Sequence, residues 1–218
     1  MLITHLGHAC LLVEMADTRL LIDPGTFADD LSDVRDLSAL LVTHQHPDHL
    51  DPERLPALAA ANPEAVVLCD PGSVDVLAGL GVEARAHDGA TTVGGVTVTP
   101  FGEQHALIHD DIPRIPNVGV RLDAEGEPSF YHPGDAFDAE PGDVDVLAFA
   151  LQAPWQRSRD MTAFLRRLDA PHAVPVHDGL LQPRGRGMYL NQAGQLGSSS
   201  TRIHDLAGAG PTQFRAGE

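Results

Sequence analysis

Short apolar runs separated by turn residues dominate the first two thirds of the chain. Residues 2–6 and 9–14 form two such runs around Gly7, and 19–22 form a third, closed by Asp23-Pro24-Gly25. Runs of this length between turn signals predict an antiparallel meander. Residues 39–42, Ala-Leu-Leu-Val, are apolar without interruption, as expected of a strand covered on both faces. Pro52, followed by Leu55, Leu58 and Ala59, predicts a short helix started by the proline. A strand at 65–68 and a helix at 73–80 follow, with Ser73 as the expected N-cap and Gly81 as the stop. Residues 91–93 and 96–99 flank Gly94-Gly95 and read as a hairpin. A loop spans 101–117, and strands at 118–122 and 129–132 pair across Glu125-Gly126. A strand at 144–150, an amphipathic helix at 158–168 and a strand at 173–176 complete the pattern. Beyond Arg184 the chain is rich in Gly, Ser and Ala and predicts no element. No repeat or linker divides the sequence, so one domain over residues 1–218 is expected. Two sheets with helices outside fit the pattern, as do several other α/β arrangements.

The apolar run at 39–42 leads directly into Thr43-His44-Gln45-His46-Pro47-Asp48-His49. In an extended chain His44 and His46 face the same way. Asp48 and His49 follow through Pro47. Four potential ligands in six residues crowd a single tetrahedral zinc but suit two adjacent cations. A lone His-x-His is a weak signal; the whole pattern directly after a strand is a strong one.

Composition sharpens this picture. Twelve histidines are present, and histidine is the commonest side-chain metal ligand. Arg and Lys total 14 against 31 Asp and Glu, a formal net charge of −17. That balance opposes nucleic acid, whose binding relies on cationic side chains replacing counterions. Cys10 and Cys69 each lie in an apolar run and predict buried, reduced thiols rather than a disulfide framework. The N-terminal residues 1–5 carry neither a basic segment nor a long apolar one. Neither a signal peptide nor a membrane span is expected, and a cytoplasmic location is.

The histidine run resembles the signature of the metallo-β-lactamase superfamily. The resemblance extends over about four-fifths of the chain, through Gly7-His8-Ala9, Leu21-Ile22-Asp23-Pro24, Gly102-Glu103-Gln104-His105, Tyr131-His132-Pro133-Gly134-Asp135 and Val174-Pro175-Val176-His177. Within the superfamily the chain looks most like the short hydrolases that include the ascorbate-6-phosphate lactonases. This resemblance implies an α/β fold, a four-layer αββα sandwich. It also implies that His44, His46 and His105 hold one divalent metal ion, that Asp48, His49 and His177 hold a second, and that Asp135 bridges them. Zinc is the first expectation, and manganese and iron also suit such ligands. The implied chemistry is hydrolysis by a hydroxide shared between the two cations, with Asp48, Asp135 and His8 as catalytic residues.

Other residues carry weaker signals. Asp23 is a candidate acceptor for a ligand histidine's second ring nitrogen. His8 would donate to substrate or leaving group, and His109 is a rival to His105 on the same loop. Trp155 and Arg157 are candidate substrate contacts, although a plain surface loop fits them better. His5, His87, His132, His172 and His204 read as structural. A bridging Asp135 disfavours an antibiotic-degrading activity. The expected substrate is a small ester, lactone or phosphoester. A phosphodiesterase acting on cyclic nucleotides or nucleic acid is the enzymatic alternative, and a non-catalytic metal sensor or scaffold is the alternative of another class.

Overall fold

A computed structural model of the chain describes residues 1–217; residue 218, the last of the expected domain, lies outside the described residues. The first sheet is built from seven strands in the order β14-β1-β2-β3-β4-β5-β6: β1 Leu2–His5, β2 Leu11–Met15, β3 Thr18–Ile22, β4 Ala39–Val42, β5 Val66–Cys69, β6 Arg85–Ala86 and β14 Thr212–Gln213. The second sheet runs β13-β12-β11-β10-β9-β8-β7: β7 Thr91–Val93, β8 Val96–Phe101, β9 Gly119–Asp123, β10 Phe130–His132, β11 Val146–Ala150, β12 His172–Val176 and β13 Arg202–Ile203. Each sheet has an antiparallel half and a parallel half. Among the described residues four helices complete the fold: α1 Leu55–Ala60, α2 Ser73–Gly79, α3 Ser158–Leu168 and α4 Pro183–Leu196.

The layers follow from the period-2 alternation of the strands. Leu11, Val13, Leu20, Ile22, Ala39 and Leu41 point inward and meet Val96, Val98, Phe130, Val146 and Val174 of the second sheet. Their neighbours Leu12, Leu21, Leu40 and Val42 point outward and pack with Leu55 and Leu58 of α1 and Leu77 of α2. On the other side Tyr131, Leu147 and Phe149 pack with Met161, Phe164 and Leu165 of α3 and Ala193 of α4. The result is the expected αββα sandwich, with an apolar layer between each pair of faces. Burying a Leu, Ile, Val or Phe in such layers contributes about 1.5–3 kcal/mol apiece. Among the described residues no helix is long and apolar enough to cross a membrane.

Several local expectations are corrected. Helix α1 begins at Leu55, with Pro56 in its first turn rather than Pro52. Asp51 explains the delay: its Oδ1 accepts the N–H groups of Glu53 and Arg54 and holds 52–54 as a turn. Ser73 is the first residue of α2, not its N-cap, and its hydroxyl donates back to Asp70. The second strand starts only at Leu11, because Gly7 and His8 both take positive φ, 90° and 53°. The largest miss is the tail. Residues past Arg184 form most of α4 and supply β13 and β14, so one segment extends both sheets. Gly185, Gly187 and Gly194 lower the intrinsic helix propensity of α4 and hid it from the pattern.

Two glycines generate opposite expectations. A Cβ on Gly25 would lie 1.8 Å from the Asp48 carbonyl oxygen and 2.5 Å from the His49 nitrogen. Backbone cannot give way as a side chain can, so Gly25→Ala is expected to cost about 1–3 kcal/mol. Gly187 has nothing within 4 Å of a built Cβ and sits inside α4. Gly187→Ala is therefore expected to stabilise by up to about 1 kcal/mol. In calorimetry Gly25→Ala should lower Tm, and Gly187→Ala should raise it by about 2–4 °C. A Gly25→Ala protein as stable as its parent would contradict the close approach.

Candidate metal centre

The ends of β1, β4, β8, β10 and β12 lie at one edge of the sandwich, and the loops leaving them carry the predicted site residues. Backbone bonds lace this edge together. His177 N–H donates to the His8 carbonyl, at 2.8 Å, joining the two sheets. Val118 N–H donates to the Thr43 carbonyl, at 2.9 Å, and Thr26 N–H to the Pro47 carbonyl, at 2.8 Å. The site also concentrates unusual backbone: His8, Asp23 and His177 all adopt left-handed φ, at 53°, 49° and 57°. Such conformations persist only where surrounding structure fixes them, and they gather at functional sites.

All seven expected metal-holding side chains come together. Ligand atoms of His44, His46 and His105 lie within 4.8 Å of one another, as do those of His8, Asp48, His49 and His177. His44, His49 and Asp135 form a third such group that joins the other two. Asp135 faces both sets: Oδ1 is 3.3 Å from His49 Nε2, and Oδ2 is 3.4 Å from His105 Nε2 and 3.2 Å from His177 Nε2. His44 Nε2 and His46 Nδ1 are 3.0 Å apart.

Hydrogen bonds on the far side of each ring set the tautomers. His49 Nδ1 donates to Asp23 Oδ2 at 2.7 Å, His105 Nδ1 to the Ala106 carbonyl at 2.6 Å, and His177 Nδ1 to the Gln152 carbonyl at 2.8 Å. The Thr43 hydroxyl gives its proton to Asp23, so it accepts from His44 Nδ1, 3.1 Å away. His44, His49, His105 and His177 therefore each turn an Nε2 lone pair toward the common space when neutral. Nε2 of His49, His105 and His177 and Oδ1 of Asp135 are buried without any hydrogen-bond partner. Buried polar atoms are normally satisfied. Four orphans facing one another, on nitrogen and carboxylate donors, fit divalent cations.

The electrostatics of the protein alone agree with this. Burial opposes the charged form of His177, but Asp135 and Asp48 outweigh it and raise it to about 9. Burial likewise opposes charge on His49, and Asp135 and Asp23 lift it well above an ordinary histidine. Asp135 is held well below the usual carboxylate range: burial works the other way, but His49 and His177 prevail. His44 and His46 are lowered, first by burial and then by neighbouring histidines. Protons thus sit where a cation would compensate the two carboxylates.

The remaining candidates divide. Asp23 is the expected acceptor for a ligand ring. His105 enters the site, whereas His109 is exposed and accepts the Asp111 N–H. His8 Nδ1 accepts the Gly179 N–H at 3.0 Å, so its proton is on Nε2, donated to Asp48 Oδ2 at 3.1 Å. In this arrangement the His8 N–H orients Asp48. Arg157 pairs with Asp160 and caps α3 instead of reaching the site. Trp155, read from sequence as a surface position, donates to Asp135 Oδ2 at 2.7 Å. His5 donates to the His8 carbonyl, His87 contacts the Val98 carbonyl, and His172 meets His204. Thr43, Asn117 and Gln152 were missed, and single polar residues beside a motif carry no pattern that could have marked them. Cys10 and Cys69 are both free and buried, and burial raises the thiol of Cys69 to about 12.

Comparison with known proteins agrees with the architecture. Residues 2–177 match the family described as the β-lactamase superfamily domain. The protein Rv0786c of Mycobacterium tuberculosis is 39% identical over 206 residues, covering 93% of this chain and 96% of its own length. A UPF0173 metal-dependent hydrolase of Azorhizobium caulinodans is 31% identical over 150 residues, 62% of this chain and 63% of that one. In fold, the chain is similar to an isothiocyanate hydrolase from Delia radicum gut bacteria, with a TM-score of 0.73, 17% identity and coverage of 99% of this chain and 100% of that one. With its two mixed sheets, flanking helices and histidine-lined edge, the chain belongs to the β-lactamase superfamily and has the metallo-β-lactamase fold.

Proposed function

We propose that the protein is a dinuclear metal-dependent hydrolase acting in the cytoplasm on a small ester, lactone or phosphoester, akin to the ascorbate-6-phosphate lactonases. The observation that carries this reading is the set of four buried, unpartnered atoms: Nε2 of His49, His105 and His177, and Oδ1 of Asp135. The similarity to the Azorhizobium UPF0173 metal-dependent hydrolase favours the same class. His44, His46 and His105 would hold one ion, Asp48, His49 and His177 the other, and Asp135 both. Two zinc ions are proposed, with manganese or iron as the alternatives this donor set also accepts.

When bound, divalent cations supply Lewis acidity, making water acidic near neutral pH and polarising a carbonyl or phosphoryl oxygen. The protein's own groups do the rest. Asp23, Gln152, Thr43 and the Ala106 carbonyl fix ring orientation, so each Nε2 is ready without reorganisation. Asp48 is aimed by the His8 N–H, and Asp135 spans the two histidine sets. The net charge of −17 favours a small substrate over nucleic acid.

Metal analysis of purified protein should find about two divalent ions per chain. Asp135→Ala should lose both together, because one carboxylate faces both sets; two full sites in that variant would remove the bridge. A panel of lactones, thioesters, simple phosphoesters and phosphodiesters should show turnover of a small ester, lactone or phosphoester by the metal-loaded protein. Preference for cyclic nucleotides or nucleic acid would replace this reading with a phosphodiesterase, and metal binding without any turnover would replace it with a sensor or scaffold.

The two half-sites can be separated. His46→Ala and His49→Ala should each lose one ion and about 100-fold or more of turnover, since removing a ligand must cost at least as much as removing its support. Near-parental turnover of His49→Ala with one ion missing would limit the chemistry to the first set. His8→Ala should weaken retention of the second ion only, through Asp48. Equal loss of both ions, measured by dialysis against a chelator, would contradict that selectivity.

A further inference from the structure

Asp135 is restrained at every point but one. Its N–H donates to Asn117 Oδ1 at 2.9 Å, and its carbonyl accepts the Ala106 N–H at 2.8 Å. Asn117 is itself tied to the Pro133 carbonyl. The backbone is therefore fixed, and the carboxylate is left to turn about its side-chain torsions. The Trp155 indole N–H meets Oδ2 at 2.7 Å. An indole nitrogen can only donate, so this contact has one sense.

The indole is held as firmly as the backbone. Its ring meets Phe137 edge-on at 4.9 Å, and Phe137 stacks on Phe164 of α3 at 4.4 Å. Arg167 lies over Phe164 at 5.5 Å and donates to the carbonyls of Phe137 and Ala139. A relay of packed rings thus runs from helix α3 to the carboxylate. The histidines facing Asp135 hold their other ring protons on Nδ1, turned away from it. Once cations replace the remaining protons on Nε2, Trp155 is the side-chain N–H still directed at Asp135 among the described residues.

We infer that Trp155 is a positioning residue for the metal centre: its indole N–H pins Asp135 through Oδ2 and turns the unpartnered Oδ1 toward His49. The inference rests on the reading of Asp135 as a shared ligand. It adds that the orientation of this ligand is set from outside the histidine cluster, by a ring anchored in the α3 layer.

Trp155 is the single tryptophan of the chain, which gives a test independent of turnover. Trp155→Phe keeps a ring against Phe137 and removes only the donor. Zinc affinity, measured by competition with a chelator, should fall by about 10- to 100-fold, as when other supports of a ligand are lost. Unchanged affinity in a folded variant overturns the inference. The second arm needs no metal and no change at position 155. In metal-free Asp135→Ala, the emission of Trp155 should shift from that of the metal-free parent, because its partner has gone. Identical emission spectra overturn the contact even if Trp155→Phe fails to fold. A parent protein that binds none of zinc, manganese and iron but shows the emission shift would sink the metal-centre reading and the metal-positioning role while leaving the Trp155–Asp135 contact established.

Discussion

The carboxylate of Asp23 is fully buried at the end of β3. It accepts three hydrogen bonds: from the Thr43 N–H at 2.8 Å, the Thr43 hydroxyl at 2.8 Å and His49 Nδ1 at 2.7 Å. Burying a carboxylate without partners costs several kcal/mol, so these three bonds must form together with the fold. They join the ends of β3 and β4, start the histidine loop in one direction and fix the His49 ring. Through Thr43 they also set His44. The left-handed backbone at Asp23, φ 49°, is what turns its side chain toward the neighbouring strand end instead of along its own.

The rest of the centre repeats this logic with different parts. Four of the five ligand rings have an oxygen behind them, from the adjacent residue for His44 and His105 and from another strand end for His49 and His177. Gln152 follows β11 and holds His177, which follows β12. Gly179 holds His8, which in turn holds Asp48. Rigid strands supply the origin of each loop, and cross-bonds between loops supply the precision. Glycine occurs where loops press closest: a Cβ on Gly134 would meet Asn117 Oδ1 at 2.3 Å and Thr43 at 2.8 Å. The same crowding that forbids a side chain there brings Asp135 beside the histidines.

Much of this was legible in advance, for specific reasons. The apolar runs at 9–14, 19–22 and 39–42 are imposed by apolar layers on both sides of a sheet, so they are visible in any chain that forms one, although the second strand begins only at Leu11. The run from His44 to His49 stood out because cation ligands at short spacing have few other causes. His105, Asp135 and His177 became visible only through resemblance to a family, since each is one polar residue in an ordinary loop. The tail shows the opposite limit. Helix α4 contains three glycines, and strands β13 and β14 are two residues each; their stability comes from the layers they cover, not from local propensity.

The sequence by itself determined most core strands and the chemical class of the site, because apolar runs and ligand spacing are local properties of the chain; the layered architecture was legible only through resemblance to a family. The sequence could not decide that Gln152 stands behind His177, Asp23 behind His49 or Gly179 behind His8, because those pairs join residues 25, 26 and 171 positions apart. Trp155 illustrates the difference. Twenty positions separate it from Asp135, and nothing in its own neighbourhood marks it. Only the stacking of α3 on the second sheet brings the indole N–H to the carboxylate. Hydrogen bonds act over about 3 Å in space, and the distance that matters to them is fixed by packing.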